Sequence, residues 1–148
     1  KDFINLRPSV WQEALEGYQT VAYELNENQG KIEHLFIPVS SATALVGINM
    51  GFKRFGYSPK IHAVQTTYIN SIASIFDKDF QTTTRSLADA LVAKVTPRFE
   101  EAVAIIRNSG GSGWVVSDEE ITNAWVYLRE IQKLKPQGKL FCSLLSQH

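Results

Sequence analysis

The sequence predicts an α/β fold: a small parallel sheet with helices on both faces. Three observations carry that expectation. Short apolar runs, too short for helices, alternate with longer stretches whose apolar residues recur at helical spacing. The runs are nearly all apolar without clean alternation, as in strands covered on both faces. The order strand, helix, strand across residues 34–65 makes a βαβ unit, which is usually parallel and right-handed.

Residues 1–8 read as a loop ending in Leu6-Arg7-Pro8. Ser9 stands as an N-cap with Gln12 in the capping-box position, so a first helix is expected over Val10–Asn28. Its apolar face is Ala14, Tyr18, Val21, Ala22 and Leu25, and Gly17 interrupts it at a cost of ~1 kcal/mol. The first strand is His34–Val39, with Pro38 at its end because proline cannot donate to a ladder. A second helix over Thr43–Phe55 presents Leu45, Ile48, Phe52 and Phe55, and Gly56-Tyr57-Ser58-Pro59 stops it. The second strand is Ile61–Gln65.

Residues 66–98 are less regular. A short helix is expected around Ile69–Phe76 and a helix, or helix plus turn, over Ser86–Val95. A helix carrying Phe99, Ala102, Val103 and Ile106 ends at Asn108-Ser109-Gly110-Gly111, and Ser112–Val116 is the third strand. Ser117-Asp118-Glu119-Glu120 spells a capping box, opening a helix that buries Ile121, Ala124, Trp125, Leu128 and Ile131. Lys135-Pro136-Gln137-Gly138 is a turn, and Leu140–Ser143 begins a last strand.

At 148 residues and 44% hydrophobic, the chain is sized for a single domain, residues 1–148, with its own core. Lys plus Arg and Asp plus Glu number 15 each, so net charge gives no reason to expect nucleic acid or an anionic membrane. No run of 18 apolar residues is present to span a bilayer, and no signal peptide is visible. Cys142 is the sole cysteine, which excludes an internal disulfide and a cysteine-rich metal site; a cytoplasmic setting is expected.

The join at Val39-Ser40-Ser41-Ala42-Thr43 is the candidate site. A strand feeding a helix through a tight turn points free N–H groups above the strand's C-terminal edge, where they and the helix dipole favour an anion. Ser40, Ser41 and Thr43 add hydroxyls, but no glycine stands between Val39 and Gly47 to let the backbone approach closely. Two readings stay open: Ser41 or Thr43 simply caps the second helix, or the loop holds an anion.

Several segments in the same order bear on that choice. They are Glu16-Gly17-Tyr18-Gln19-Thr20-Val21-Ala22-Tyr23-Glu24-Leu25, Phe36-Ile37-Pro38-Val39, Gly47–Lys53, Ile61–Gln65, Leu87-Ala88-Asp89-Ala90, Ala102–Gly111 and Val115–Ile121. Together they resemble the large domain of fold type II pyridoxal-phosphate enzymes, with threonine synthase as the nearest member, over about Leu15 to Leu128.

The resemblance implies that Ser40, Ser41, Ala42 and Thr43 occupy the place of the loop that holds the cofactor phosphate through backbone N–H groups. Here every loop glycine of the family is replaced. It implies that Phe141-Cys142-Ser143 starts the segment supplying the partner of the pyridine nitrogen, with Ser143 or Ser146 in that role. The Schiff-base lysine belongs upstream of the Glu16–Leu25 segment. The chain is therefore expected to be a truncated piece of a two-domain lyase of amino-acid biosynthesis that turns O-phosphohomoserine into threonine and phosphate. It would bind no pyridoxal phosphate and be inactive alone. Its partners would be the missing N-terminal segment or domain and, in a homodimer, a second copy. A non-catalytic scaffold or interaction domain of the same ancestry is the first alternative, and a fragment of a cysteine synthase-like β-replacement enzyme the second.

Other chemistry-bearing residues read as structural. His34, His62 and His148 are too far apart for a metal motif. Asp77, Asp79, Asp118, Glu119 and Glu120 fit solvated faces or helix starts, and Lys53, Arg54 and Lys60 a solvated helix end.

Overall fold

The apolar runs near residues 34, 61 and 113 become the three strands of one parallel sheet in the computed structural model, which describes residues 7–89, 91, 93 and 95–130. Along the chain come α1 (Ala14–Gln29), β1 (His34–Pro38), α2 (Thr43–Arg54) and β2 (Lys60–Thr66). A 3-10 turn (Ala73–Ile75), α3 (Phe99–Ser109), β3 (Gly113–Val116) and α4 (Asp118–Glu130) follow. The strand order is β1-β2-β3, with Ile37 beside Ala63 and Gln65 beside Val115. This is the small parallel sheet flanked by helices that the sequence predicts. The core joins Ile37, Ile61 and Ala63 of the sheet to Leu45, Ile48 and Phe52 of α2 and to Ala102, Val103 and Ile106 of α3.

The first helix starts later than expected, at Ala14. Ser9 is not its cap; the amides of Val10 and Trp11 both turn back to the Arg7 carbonyl. Gln12 is used elsewhere, since its Oε1 accepts from Nη1 of the buried Arg98 at 3.2 Å. That guanidinium also donates to the Trp11 carbonyl and pairs with Glu101, so residues 11–12 are tied to the start of α3.

The buried stripe of α1 is also rotated from the expected one. It is Leu15, Gln19 and Ala22, with Tyr18 and Val21 left partly exposed. The reason lies on α2. A Cβ built on Gly47 would stand 2.5 Å from the Tyr18 Cβ and 2.8 Å from the Leu15 carbonyl oxygen. On Gly51 it would stand 2.6 Å from the Ala22 Cβ and 2.7 Å from the Gln19 oxygen. The two helices meet almost backbone to backbone, so fit against two glycines selects the stripe. On α2, Leu45, Ile48 and Phe52 are buried as expected, whereas Phe55 lies exposed, edge-on to Tyr23.

Between β2 and α3 the expected helices shrink. Only the 3-10 turn remains of the first, and the described residues of 86–95 form no helix. Side chains take the amides a helix would use. Asp118 Oδ1 accepts from the Ser86 hydroxyl at 2.7 Å and from the Leu87 amide at 2.9 Å, and Ser40 Oγ accepts from the Ala93 amide at 3.2 Å.

The capping box forms as spelled. Ser117 Oγ accepts from the Glu120 amide at 3.2 Å, and the Glu120 carboxylate accepts from the Ser117 amide and hydroxyl, both at 2.8 Å. Those bonds, backbone first, hold the Glu120 carboxyl below its ordinary value. Yet no described residue of α4 is fully buried: Ile121, Trp125 and Leu128 are half-buried and Ala124 is exposed. The helix follows the edge strand, with no described element packed broadly along it. Ile131, the Lys135–Gly138 turn and the Leu140–Ser143 strand lie outside the described residues.

Candidate functional site

The loop of Ser40, Ser41 and Ala42 leaves the C-terminal end of β1 and delivers the chain to Thr43, the first residue of α2. Its approach is rigid. The Val39 amide donates to the Val64 carbonyl at 2.9 Å, continuing the ladder. The Val39 carbonyl accepts from Gln65 Nε2 at 3.2 Å. Gln65 is wholly buried, and its Oε1 accepts from the amides of Ile72 and Ala73 at 2.8 and 2.9 Å. One side chain thus joins the end of β1 to the start of the 3-10 turn. The sequence offered one signal for it, a polar residue closing the largely apolar run Ile61–Gln65.

Ala42 occupies the N-cap position in the left-handed region, φ 64° and ψ 3°, and is the only non-glycine residue with positive φ among the described residues. The backbone therefore takes a turn that glycine favours while carrying a Cβ. Neither Ser41 nor Thr43 caps α2 through a side-chain bond to its amides. The two hydroxyls instead meet each other at 3.1 Å, and Thr43 Oγ1 donates to the Pro8 carbonyl at 3.4 Å. Ser40 is engaged twice, its hydroxyl accepting from the Ala93 amide and its carbonyl from Thr96 Oγ1 at 3.3 Å.

The first bond into the helix runs from the Val46 amide to the Ala42 carbonyl, so the amides of Ser41 to Leu45 have no protein acceptor among the described residues. With no acidic side chain in its first turn, this end of α2 is electropositive. Lys53 and Arg54 sit in the last turn, at the opposite end of the helix.

Three of the acidic candidates have structural partners. Asp77 accepts from the Val115 and Asp79 amides, at 2.9 and 3.1 Å, and Asp118 and Glu120 hold the bonds given above. The two described histidines come together: His34 Nδ1 lies 3.0 Å from His62 Nε2. His62 is buried within β2 while His34, the first residue of β1, is exposed. No group of three or more metal-ligating side chains occurs among the described residues. Cys142, Ser143, Ser146 and His148 lie outside them.

A strand-loop-helix turn at the C-terminal edge of a parallel sheet is a common place for a phosphate. The chain matches the family model of the pyridoxal-phosphate dependent enzymes over residues 1–136. The chain belongs to that family. Its fold is that of a fold type II large domain. Among solved structures it resembles maize serine racemase, with a TM-score of 0.64 and 22% identity, over 81% of this chain and 38% of that one. It resembles a pyridoxal 5'-phosphate-dependent aspartate racemase, with a TM-score of 0.61 and 16% identity, over 91% of this chain and 44% of that one. A T.th. threonine deaminase is similar with a TM-score of 0.62 and 19% identity, over 93% of this chain and 47% of that one. The likeness to all three is one of fold, and the chain spans less than half the length of each. No curated protein matches it.

The family's group is pyridoxal phosphate. Ala42 and Thr43 are buried, only 3% and 2% exposed. Ala42 carries its Cβ at a positive φ, and the hydroxyls of Ser40, Ser41 and Thr43 are bonded within the protein. The four lysines among the described residues are placed elsewhere. Lys31 and Lys60 share a groove with His34 and Pro59, Lys53 ends α2, and Lys78 donates to the Ser74 carbonyl.

Proposed function

We propose that this chain is a scaffold segment of a threonine synthase-like protein and carries out no cofactor chemistry by itself. One observation supports this most directly. The loop in the position of a phosphate cradle is filled by its own side chains and by Pro8, Ala93 and Thr96. In this role the parallel sheet, α2 and α3 form a rigid support on which the rest of a large domain is assembled. The threonine synthase reading draws on the spelling of Glu16–Leu25 and on family membership, and O-phosphohomoserine is the substrate it names.

A second reading, an active member of the family in which this segment is one part, draws on the free amides of Ser41 to Leu45. Borohydride reduction of the chain mixed with pyridoxal phosphate tests the scaffold reading. The scaffold reading expects no stoichiometric adduct by mass spectrometry. A single adduct at one defined lysine, with an imine absorbance band before reduction, overturns it.

A further inference from the structure

On the face of the sheet that alternates with Ile61 and Ala63, four aromatic rings from all three strands meet. His62 of β2 is 6% exposed, while Phe36 of β1 and Trp114 of β3, beside it, are 55% and 48% exposed. The His62 ring stacks on Phe36 with centroids 4.4 Å apart and on His34 at 5.2 Å, and Trp114 stands tilted at 6.3 Å.

The hydrogen bonds around His62 determine where its proton lies. Nδ1 faces two donors, the Ser112 amide at 3.2 Å and the Trp114 indole Nε1–H at 3.3 Å. Neither group can accept, so Nδ1 carries no hydrogen. A neutral imidazole with a bare Nδ1 has its hydrogen on Nε2, and that N–H donates to His34 Nδ1 at 3.0 Å. By the same count the hydrogen of neutral His34 is on its own Nε2. The chain of donors runs from Ser112 and Trp114 through His62 to His34, crossing all three strands.

We infer that His62 is a proton-sensitive brace of the sheet: neutral, it binds β3 and β1 to β2, and a proton on Nδ1 expels both the Ser112 amide and the Trp114 indole. The charged and titratable neighbours are few. Lys60 lies on β2 itself, and Lys31, Glu33 and His34 come from the β1 side, sharing one groove with Lys60 and Tyr57. From β3 and the residue before it come Trp114 and Ser112, which carry no charge, and no carboxylate accepts from either imidazole among the described residues. Burial first, then His34 and Lys60, hold the His62 pKa below the ordinary 6.5. A histidine depressed in the folded state contributes stability that is full above its unfolded value. That contribution is lost as pH falls through the lower folded value. The brace is therefore intact at neutral pH and is released only as pH falls below 6.5.

Nitrogen-15 spectra of the whole chain test this directly. At pH 8 the expected result is His62 as the Nε2–H tautomer. Titration to pH 5 is expected to shift the His62 ring, the Ser112 amide and the Trp114 indole together, with a common midpoint below 6.5. A His62 found as the Nδ1–H tautomer at pH 8 overturns the inference, as do Ser112 and Trp114 signals indifferent to pH. His62→Gln retains an acceptor without titrating, and is expected to abolish the joint shift; its persistence in that variant also overturns the brace. Should the variant fail to fold, the tautomer in the unaltered chain decides.

Discussion

The side-chain amide of Gln65 donates to the carbonyl of Val39 at 3.2 Å, so a residue of β2 holds the last position before the Ser40–Thr43 loop. The same side chain accepts from Ile72 and Ala73, so it joins the strand end to the start of the 3-10 turn by hydrogen bonds. Gln65→Leu keeps the bulk and leaves three buried backbone groups without partners. At about 1–3 kcal/mol for each group so stranded, a loss above ~2 kcal/mol is expected even after partial relaxation. Urea unfolding measures it. A midpoint within error of the parent would show that the tie carries little of the fold.

Two glycines on neighbouring helices are expected to respond with opposite signs. Gly47→Ala places a methyl 2.5 Å from the Tyr18 Cβ and 2.8 Å from the Leu15 oxygen, so α1 and α2 must separate. Overpacking of this kind costs roughly 1–3 kcal/mol, set against ~1 kcal/mol of gained helix propensity. Gly17 has nothing within 4 Å of a built Cβ, so Gly17→Ala is expected to stabilise by about 0.5–1 kcal/mol. Thermal melts of the two variants give the signs, and a stabilised Gly47→Ala would disprove the close crossing.

Phosphate is expected to bind the Ser40–Thr43 loop only weakly. An exposed helix N-terminus attracts an anion by ~0.3–1 kcal/mol, far short of the roughly 8 kcal/mol that micromolar binding requires. Amide shifts of Ser40 to Leu45 during titration with inorganic phosphate, and then pyridoxal phosphate, measure the affinity. Saturation at micromolar concentration centred on these residues would show that the loop opens after all. The left-handed turn at Ala42 makes a companion prediction. Ala42→Gly is expected to leave stability nearly unchanged, because relief of ~1–2 kcal/mol of backbone strain offsets the buried methyl it removes. Ala42→Val is expected to destabilise, since a branched Cβ fits that conformation poorly.

Much of this protein is determined locally and can be read from its residues. The strands at His34, Ile61 and Gly113 follow from short apolar runs between turn formers, and their parallel pairing follows from the helices between them. The Ser117–Glu120 capping box depends on a spacing of three residues and forms as written. Long-range contacts decided the rest. The buried face of α1 turned from Tyr18 and Val21 toward Leu15 and Gln19 because Gly47 and Gly51, some thirty residues later, allow backbone contact only along that line. The described residues of 86–95 form no helix because Asp118 and Ser40, distant in sequence, take up amides that a helix would need. The serines and threonine of the loop have the composition of an anion site, yet their partners, Pro8, Ala93 and Thr96, lie 35 to 56 residues away in the chain. A hydroxyl can cap a helix, hold a phosphate or bind a passing backbone at nearly equal energy. Which of these it does depends on what the fold brings beside it, and no local pattern records that.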